Sequence, residues 1–199
     1  MAVELRKGQK VSLEKQSGRA LGEILINLNW SQPPEKKFLG ISLGQNSIDL
    51  DLGCLYELKN GRKGCVQALG NAFGNLDAAP YIALDGDDRS GAAANGENLR
   101  VNGGKIAEIK KILIYTFIYE GVANWKSADG IVTLRCPGSQ DLIVRMDEYS
   151  SNQKMCAIAM LENQNNQTFT VEKLIRFFDG HEPMDRAFGW GMRWTAGRK

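Results

Sequence analysis

Hydrophobic and polar residues alternate with a period of two along much of this chain, the pattern that sends successive side chains to opposite faces of a strand. In residues 24–30, Ile24, Ile26, Leu28 and Trp30 share one side while Asn27 and Asn29 take the other, and Ser31-Gln32-Pro33-Pro34 ends the run. Residues 48–58 repeat the pattern. Lys59-Asn60-Gly61-Arg62 then supplies a hairpin turn, with residues 65–69 as the returning strand. Residues 111–119 are apolar on both faces, which predicts a central strand. Further strands are expected at 81–84, 130–136, 142–146, 155–161 and 169–178, a helical turn at 105–110 and a short helix at 183–188. Short strands separated by turn-rich stretches predict an all-β, antiparallel β-sandwich with at most one or two short helices, built as a single domain over residues 1–199.

Composition narrows the function classes. With 199 residues and 43% hydrophobic content the chain can bury one substantial core. The formal net charge is +2, and Lys105, Lys110, Lys111, Arg193, Arg198 and Lys199 form no stripe interleaved with aromatics, so a nucleic-acid partner is not expected. The opening thirteen residues, MAVELRKGQKVSL, lack the continuous apolar core of a secretory signal, and no apolar run reaches the roughly 20 residues of a membrane span. A cytoplasmic location is therefore expected. Lys36-Lys37 and Arg62-Lys63 could add only a weak, salt-sensitive approach to the inner face of a membrane. Cys54, Cys65, Cys136 and Cys156 form no C-x-x-C pair and read as reduced, mostly buried thiols, which argues against zinc.

Candidate chemistry concentrates in carboxylates. Asp49 and Asp51 lie two apart in a strand and leave the same face, opposite Ile48, Leu50 and Leu52. Two carboxylates about 6 Å apart repel by roughly 3 kcal/mol at an effective dielectric of about 20, so the pair calls for an offsetting positive charge. Residues 84–98, Leu-Asp-Gly-Asp-Asp-Arg-Ser-Gly-Ala-Ala-Ala-Asn-Gly-Glu-Asn, add further hard oxygen donors and glycines that permit tight turns. That donor set suits calcium, which takes 6 to 8 oxygens in flexible geometry. The loop is not an EF-hand, because counting from Asp85 places Arg89 at the fifth position and Gly96 at the twelfth. The competing reading has Asp85, Asp87 and Asp88 capping turns in water, with Arg89 or Arg100 compensating the charge.

Several stretches resemble one family. The N-terminal MAVELRKGQKVSL, INLNW at 26–30, SIDLDLGCLYEL at 47–58, LDGDDRSG at 84–91 and KILIYTFIYEGVANW at 111–125 are similar to the TerD family of tellurium-resistance and stress-response proteins. The stretches LGNAFGNLDAAPYIALDGDDRSG at 69–91 and AFGWGMRW at 187–194 resemble its TerA-type branch. The resemblance implies a calcium-binding β-sandwich, tied to tellurite resistance and non-enzymatic. It lays the family's D-x-D strand on Asp49 and Asp51 and its glycine-aspartate loop on Gly86-Asp87-Asp88-Arg89-Ser90-Gly91, with Glu97 and Asn98 following. Ala92, Ala93 and Ala94 stand where members often carry acids, so one calcium ion is expected, held by Asp49, Asp51, Asp87, Asp88, Glu97 and Asn98. Protein partners from the same stress-response system would then read the ion-ordered surface.

Other motifs are weaker. Gly40-Ile41-Ser42-Leu43-Gly44 matches the string of the hydrolase nucleophile elbow, yet no clear strand precedes Ser42 and no helix is expected after it. His181 sits in a turn before a helical start, where a surface or capping role outweighs catalysis. Alternation in residues 189–194 would place Trp190 and Trp194 on one face, for packing or, as an alternative function, for a lectin-like site that binds a small molecule or carbohydrate with calcium.

Overall fold

The computed structural model describes residues 2–13, 20–31, 37–38, 41–42, 48–86, 96–121, 125–146, 150–195 and 197. Its strands, in chain order, begin with β1 (Ala2–Glu4), β2 (Lys10–Ser12), β3 (Glu23–Asn29), β4 (Lys37–Phe38), β5 (Ile41–Ser42), β6 (Asp49–Leu58) and β7 (Lys63–Val66). They continue through β8 (Gly74–Asn75), β9 (Ile82–Leu84), β10 (Glu97–Asn102), β11 (Ile109–Glu120), β12 (Ile131–Arg135), β13 (Asp141–Arg145), β14 (Met155–Gln164) and β15 (Thr168–Phe178). Two α-helices, α1 (Trp125–Ala128) and α2 (His181–Phe188), and short 3-10 segments at Leu69–Asn71 and Gly103–Glu108 complete the described elements.

The strands form two sheets. One has the order β1-β13-β12-β3-β10-β9-β8 and the other β2-β15-β14-β11-β6-β7, with β4 and β5 paired by themselves. We call these the first and second sheets. Pairing is antiparallel as expected, except that β1 runs parallel to β13. The chain opens in the first sheet and passes into the second within a few residues, turning at Gly8 with φ of +77°. The next strand, β2, lies in the second sheet, so β1 makes no hairpin with it.

Alternation explains the layers. Ile48, just before β6, and Leu50, Leu52 and Cys54 of β6 enter the core between the sheets, joined by Ile24, Ile26 and Leu28 of β3 and by Leu99 and Val101 of β10. Strand β11 lies between β14 and β6 and is apolar on both faces, as the sequence requires of a central strand. Its Ile112, Ile114 and Ile118 enter the same core, while Leu113, Tyr115 and Phe117 face away and form a second cluster with Leu55, Met155, Phe178, Met184 and Trp190. Helix α2 and the segment after it therefore cover the outer face of the second sheet.

The strand assignments at 24–30, 48–58, 111–119, 130–136, 142–146, 155–161 and 169–178 all find their counterparts within a few residues. The hairpin after β6 turns at Gly61 with φ of +85°, and its return strand starts earlier than expected, at Lys63. The sequence pattern does not anticipate strands β1, β2, β4, β5, β8 and β10. Strand β10 has the alternating burial of an ordinary strand, with Glu97, Leu99 and Val101 buried. Its two acid and amide residues at the start hid that pattern inside what reads as a ligand-rich loop. Among the described residues no helix is long and apolar enough to cross a membrane.

Candidate metal centre

Strand β6 carries the aspartate pair. Asp49 and Asp51 are 5% and 0% exposed, so they are interior carboxylates and not members of a wetted acidic surface. Alternation assigns them to the outer face of the second sheet. Their neighbour Gly53 shows what that face holds, because a Cβ there would lie 2.7 Å from the Tyr115 ring. Register places Asp51 opposite Phe117 and Asp49 opposite Glu120, with a bulge between Ile118 and Glu120. An acid opposite an acid is unfavourable in an antiparallel pair. The negative charge is felt nearby. Burial holds the Tyr115 phenol well above its usual range, and the thiols of Cys65 and Cys54 and the carboxylate of Asp51 add to that shift. One oxygen of each aspartate, Oδ1 of Asp49 and Oδ2 of Asp51, is a buried atom outside any hydrogen bond, while both residues keep other interactions.

Glu97 comes from the other sheet. It opens β10 on the side that packs inward and is 2% exposed. The backbone N–H of Leu52 donates to its Oε2 at 2.6 Å. Strand β7 pairs with β6 only from Cys54 to Glu57, so that side of β6 has no strand partner at Leu52, and Glu97 takes up the amide there. The charge-assisted bond ties the start of β10 to the middle of the aspartate strand. Gly96, with φ of +59°, makes the approach feasible, since a Cβ there would meet the Leu28 carbonyl oxygen at 2.1 Å.

Asn98 faces the other way. Its Oδ1 accepts from Asn27 Nδ2 at 2.9 Å, and Asn27 is its cross-strand partner on β3. Asn29 Nδ2 in turn donates to Asn27 Oδ1, so three asparagines form a short polar ladder on the first sheet. Asp85 is taken up by Arg100, whose Nε donates to both carboxylate oxygens at 2.7 and 2.8 Å and whose Nη1 reaches Glu23 at 2.6 Å. The charge compensation by Arg100 weighed above is thus found, for Asp85.

Of the six expected ligands, Asp49, Asp51 and Glu97 are buried around β6, Asn98 is engaged with Asn27, and Asp87 and Asp88 lie outside the described residues. Among the described residues no three His, Cys, Asp or Glu side chains form a group that could hold a metal ion. Glu120 is a carboxylate that sequence reasoning missed. Only the β6–β11 register brings it opposite Asp49, and no local pattern signals that.

The remaining motifs resolve as structure. Ser42 lies in the two-residue strand β5, and His181 Nε2 is 2.7 Å from Gln67 Oε1. Trp190 is 1% exposed, donates its indole N–H to the Tyr56 carbonyl at 3.1 Å and carries the Lys111 ammonium 4.1 Å above its ring. Trp190 therefore packs. The alternation expected for residues 189–194 fails, because Gly189 and Gly191 adopt φ of +66° and +71° and no strand forms. All four cysteines are free, and burial pushes their thiols up.

The TerD domain family matches residues 1–176. The chain is 48% identical over 191 residues to the tellurium resistance protein TerA of Alcaligenes sp, covering 95% of this chain and 56% of that relative, so it spans about half the relative's length. A crystal structure of a protein of unknown function superposes with a TM-score of 0.61 at 13% identity, covering 84% of this chain and 95% of the other. A homologue of the telluride resistance protein TerD from Streptomyces coelicolor superposes with a TM-score of 0.59 at 14% identity, covering 83% and 95%. The match over most of the chain and the close relative lead to one conclusion: the chain belongs to the TerD family of tellurium-resistance proteins.

Proposed function

We propose that this chain is a calcium-binding, non-enzymatic module of the cellular response to tellurite, acting in the cytoplasm as an ion-ordered scaffold for other proteins. One observation supports the reading above the rest: Asp49 and Asp51 are both buried, two residues apart on one strand. Two like charges withdrawn from water need a positive counter-charge, and a hard divalent cation matches a donor set made only of oxygens. In this reading Asp87 and Asp88 of the glycine-rich loop and the carboxylate of Glu97 complete the coordination. Asn98 contributes only if its bond to Asn27 is exchanged. The ion supplies the charge that lets separate stretches of chain crowd together, and its binding stabilises the folded state by mass action.

Calorimetric titration with calcium, on the wild type and on Asp49→Asn and Asp87→Asn, tests the assignment. Saturable binding that both substitutions weaken is the expected result. Undiminished binding in both would remove these ligands from consideration, and an absence of binding by the wild type would remove the ion.

A further inference from the structure

The outer face of the second sheet carries a cavity, walled on one side by residues that follow the stretch matched to the family. Asp185 of α2 is 4% exposed, and its carboxylate accepts from the backbone N–H groups of Gly191 and Met192 at 2.7 and 2.9 Å and from the Trp194 indole at 3.0 Å. That anchor folds the segment after α2 back over β7. Lys63 Nζ adds a bond to the Trp190 carbonyl at 2.6 Å. Between the segment, β7 and the 3-10 turn at Leu69–Asn71 an open cavity of about 590 Å³ remains. Its size falls within the range of small-molecule sites.

The lining has a defined chemistry. Trp194 is half-buried, and its ring lies 4.8 Å from the His181 ring. Gln67 Oε1 accepts from the Tyr115 hydroxyl at 2.6 Å and lies 2.7 Å from His181 Nε2. An oxygen that only accepts fixes the proton on His181 Nε2, and it leaves the Gln67 amide N–H groups as the donors available to a ligand. His181 stays neutral, since burial lowers its pKa to about 4. Lys63 and Arg193 line the same space, and among the described residues no aspartate or glutamate does. Arg193 is exposed and makes no hydrogen bond or ion pair among the described residues. The charged side chains of this lining are thus both cationic, which favours an anion over a neutral sugar.

We infer that this cavity binds a small planar organic anion, with its ring against Trp194 and Met192, a polar ring edge on the Gln67 amide, and its acidic group on Arg193 and Lys63. The site shares no residue with the proposed calcium ligands, and its occupancy does not require the ion. An aromatic side chain and a guanidinium on one rim fit such a ligand in the two ways each prefers, by stacking and by a charge-assisted hydrogen bond.

The test is titration of the full chain with adenosine monophosphate and with phenyl phosphate, read by calorimetry and by the shift of the Trp194 indole signal in NMR spectra, once with calcium and once with chelator. Both probes should bind saturably at micromolar to millimolar concentration under both conditions. Adenosine and inorganic phosphate should bind at least about tenfold more weakly, and Arg193→Ala should weaken the probes about tenfold or more, the loss expected of one charge-assisted bond. Arg135→Ala, on the other sheet, should change nothing. The inference is overturned if neither probe binds at millimolar concentration, if Arg193→Ala binds them as well as the wild type, or if inorganic phosphate alone binds as tightly. Binding lost only in chelator would overturn the independence of the two sites.

Discussion

The two ends of strand β6 handle buried negative charge in opposite ways. At the end nearer the hairpin, Glu57 is 7% exposed and lies opposite Lys111 in the ladder. Its carboxylate meets Lys110 at 2.6 Å and Lys111 at 3.4 Å. At the beginning of the strand, Asp51 faces Phe117 and Asp49 faces Glu120. The hairpin end carries its counter-charge within the pairing of its strands, whereas the aspartate end is set against an apolar ring and another acid. The contrast teaches that burial of a carboxylate is not itself a sign of function. What separates the two ends is the residue that β11 sets across the ladder, a lysine opposite Glu57 and an acid opposite Asp49.

The hairpin end should prove to be purely structural, and the largest effect tests that. Trp190→Ala removes an indole that is 1% exposed and bonded to the Tyr56 carbonyl. Its loss should destabilise the protein by about 3 to 5 kcal/mol in denaturant titration. Calcium affinity should stay within a few-fold of the wild type, and a large fall would break the separation between the ends. His181 yields the next effect. Its pKa falls from 6.5 to about 4 on folding because the ring is buried. The unfolded chain therefore binds the proton first, and stability is full above pH 6.5 and declines as pH falls toward 4. The decline should reach up to about 3 kcal/mol and be absent from His181→Asn. An equal decline in that variant would assign it to the carboxylates instead.

At the aspartate end, Asp51→Asn should lower calcium affinity on the order of 100-fold, which is about 2.7 kcal/mol, while raising the melting temperature measured in chelator. The opposite signs are the signature of a charge tolerated for the sake of a ligand. A variant less stable than the wild type in chelator would show that the Asp51 charge is compensated by the protein itself, as Glu57 is.

Much of this comparison is legible in the sequence. The period of two places Asp49 and Asp51 on one face and Ile48, Leu50 and Leu52 on the other, and the structure agrees, with the latter three in the core between the sheets. The doubly apolar run at 111–119 gives the central strand for the same local reason. The burial of the aspartates is not legible, because it depends on which strands lie alongside β6, and β11 begins more than fifty residues away. Strand β10 escaped since Glu97 and Asn98 look like loop ligands, and only Leu99 and Val101 carry its strand signal. The run at 189–194 misled in the other direction. Two glycines at positive φ turn it into an irregular segment, so Trp190 packs while Trp194 lines a cavity.

The smallest effect sharpens the contrast best, because it concerns the same chemistry at the opposite end of the strand. Burial alone would raise the pKa of Glu57, but the hydrogen bond from Lys110 and the charges of Lys111, Lys110 and Lys63 outweigh it and hold the carboxyl below its ordinary 4.5. A depressed pKa means that the stabilising contribution is present above pH 4.5 and is lost as pH falls through the lower, folded value. Lys110 is 54% exposed, so solvent screens much of the attraction. Glu57→Gln should accordingly cost about 0.5 to 1 kcal/mol near neutral pH, and the difference from the wild type should close in acid and shrink in high salt. Calcium should not alter that difference. If added calcium stabilised the wild type but not Glu57→Gln, the hairpin end would also be part of the proposed ion site, and the separation between the two ends of β6 would fail.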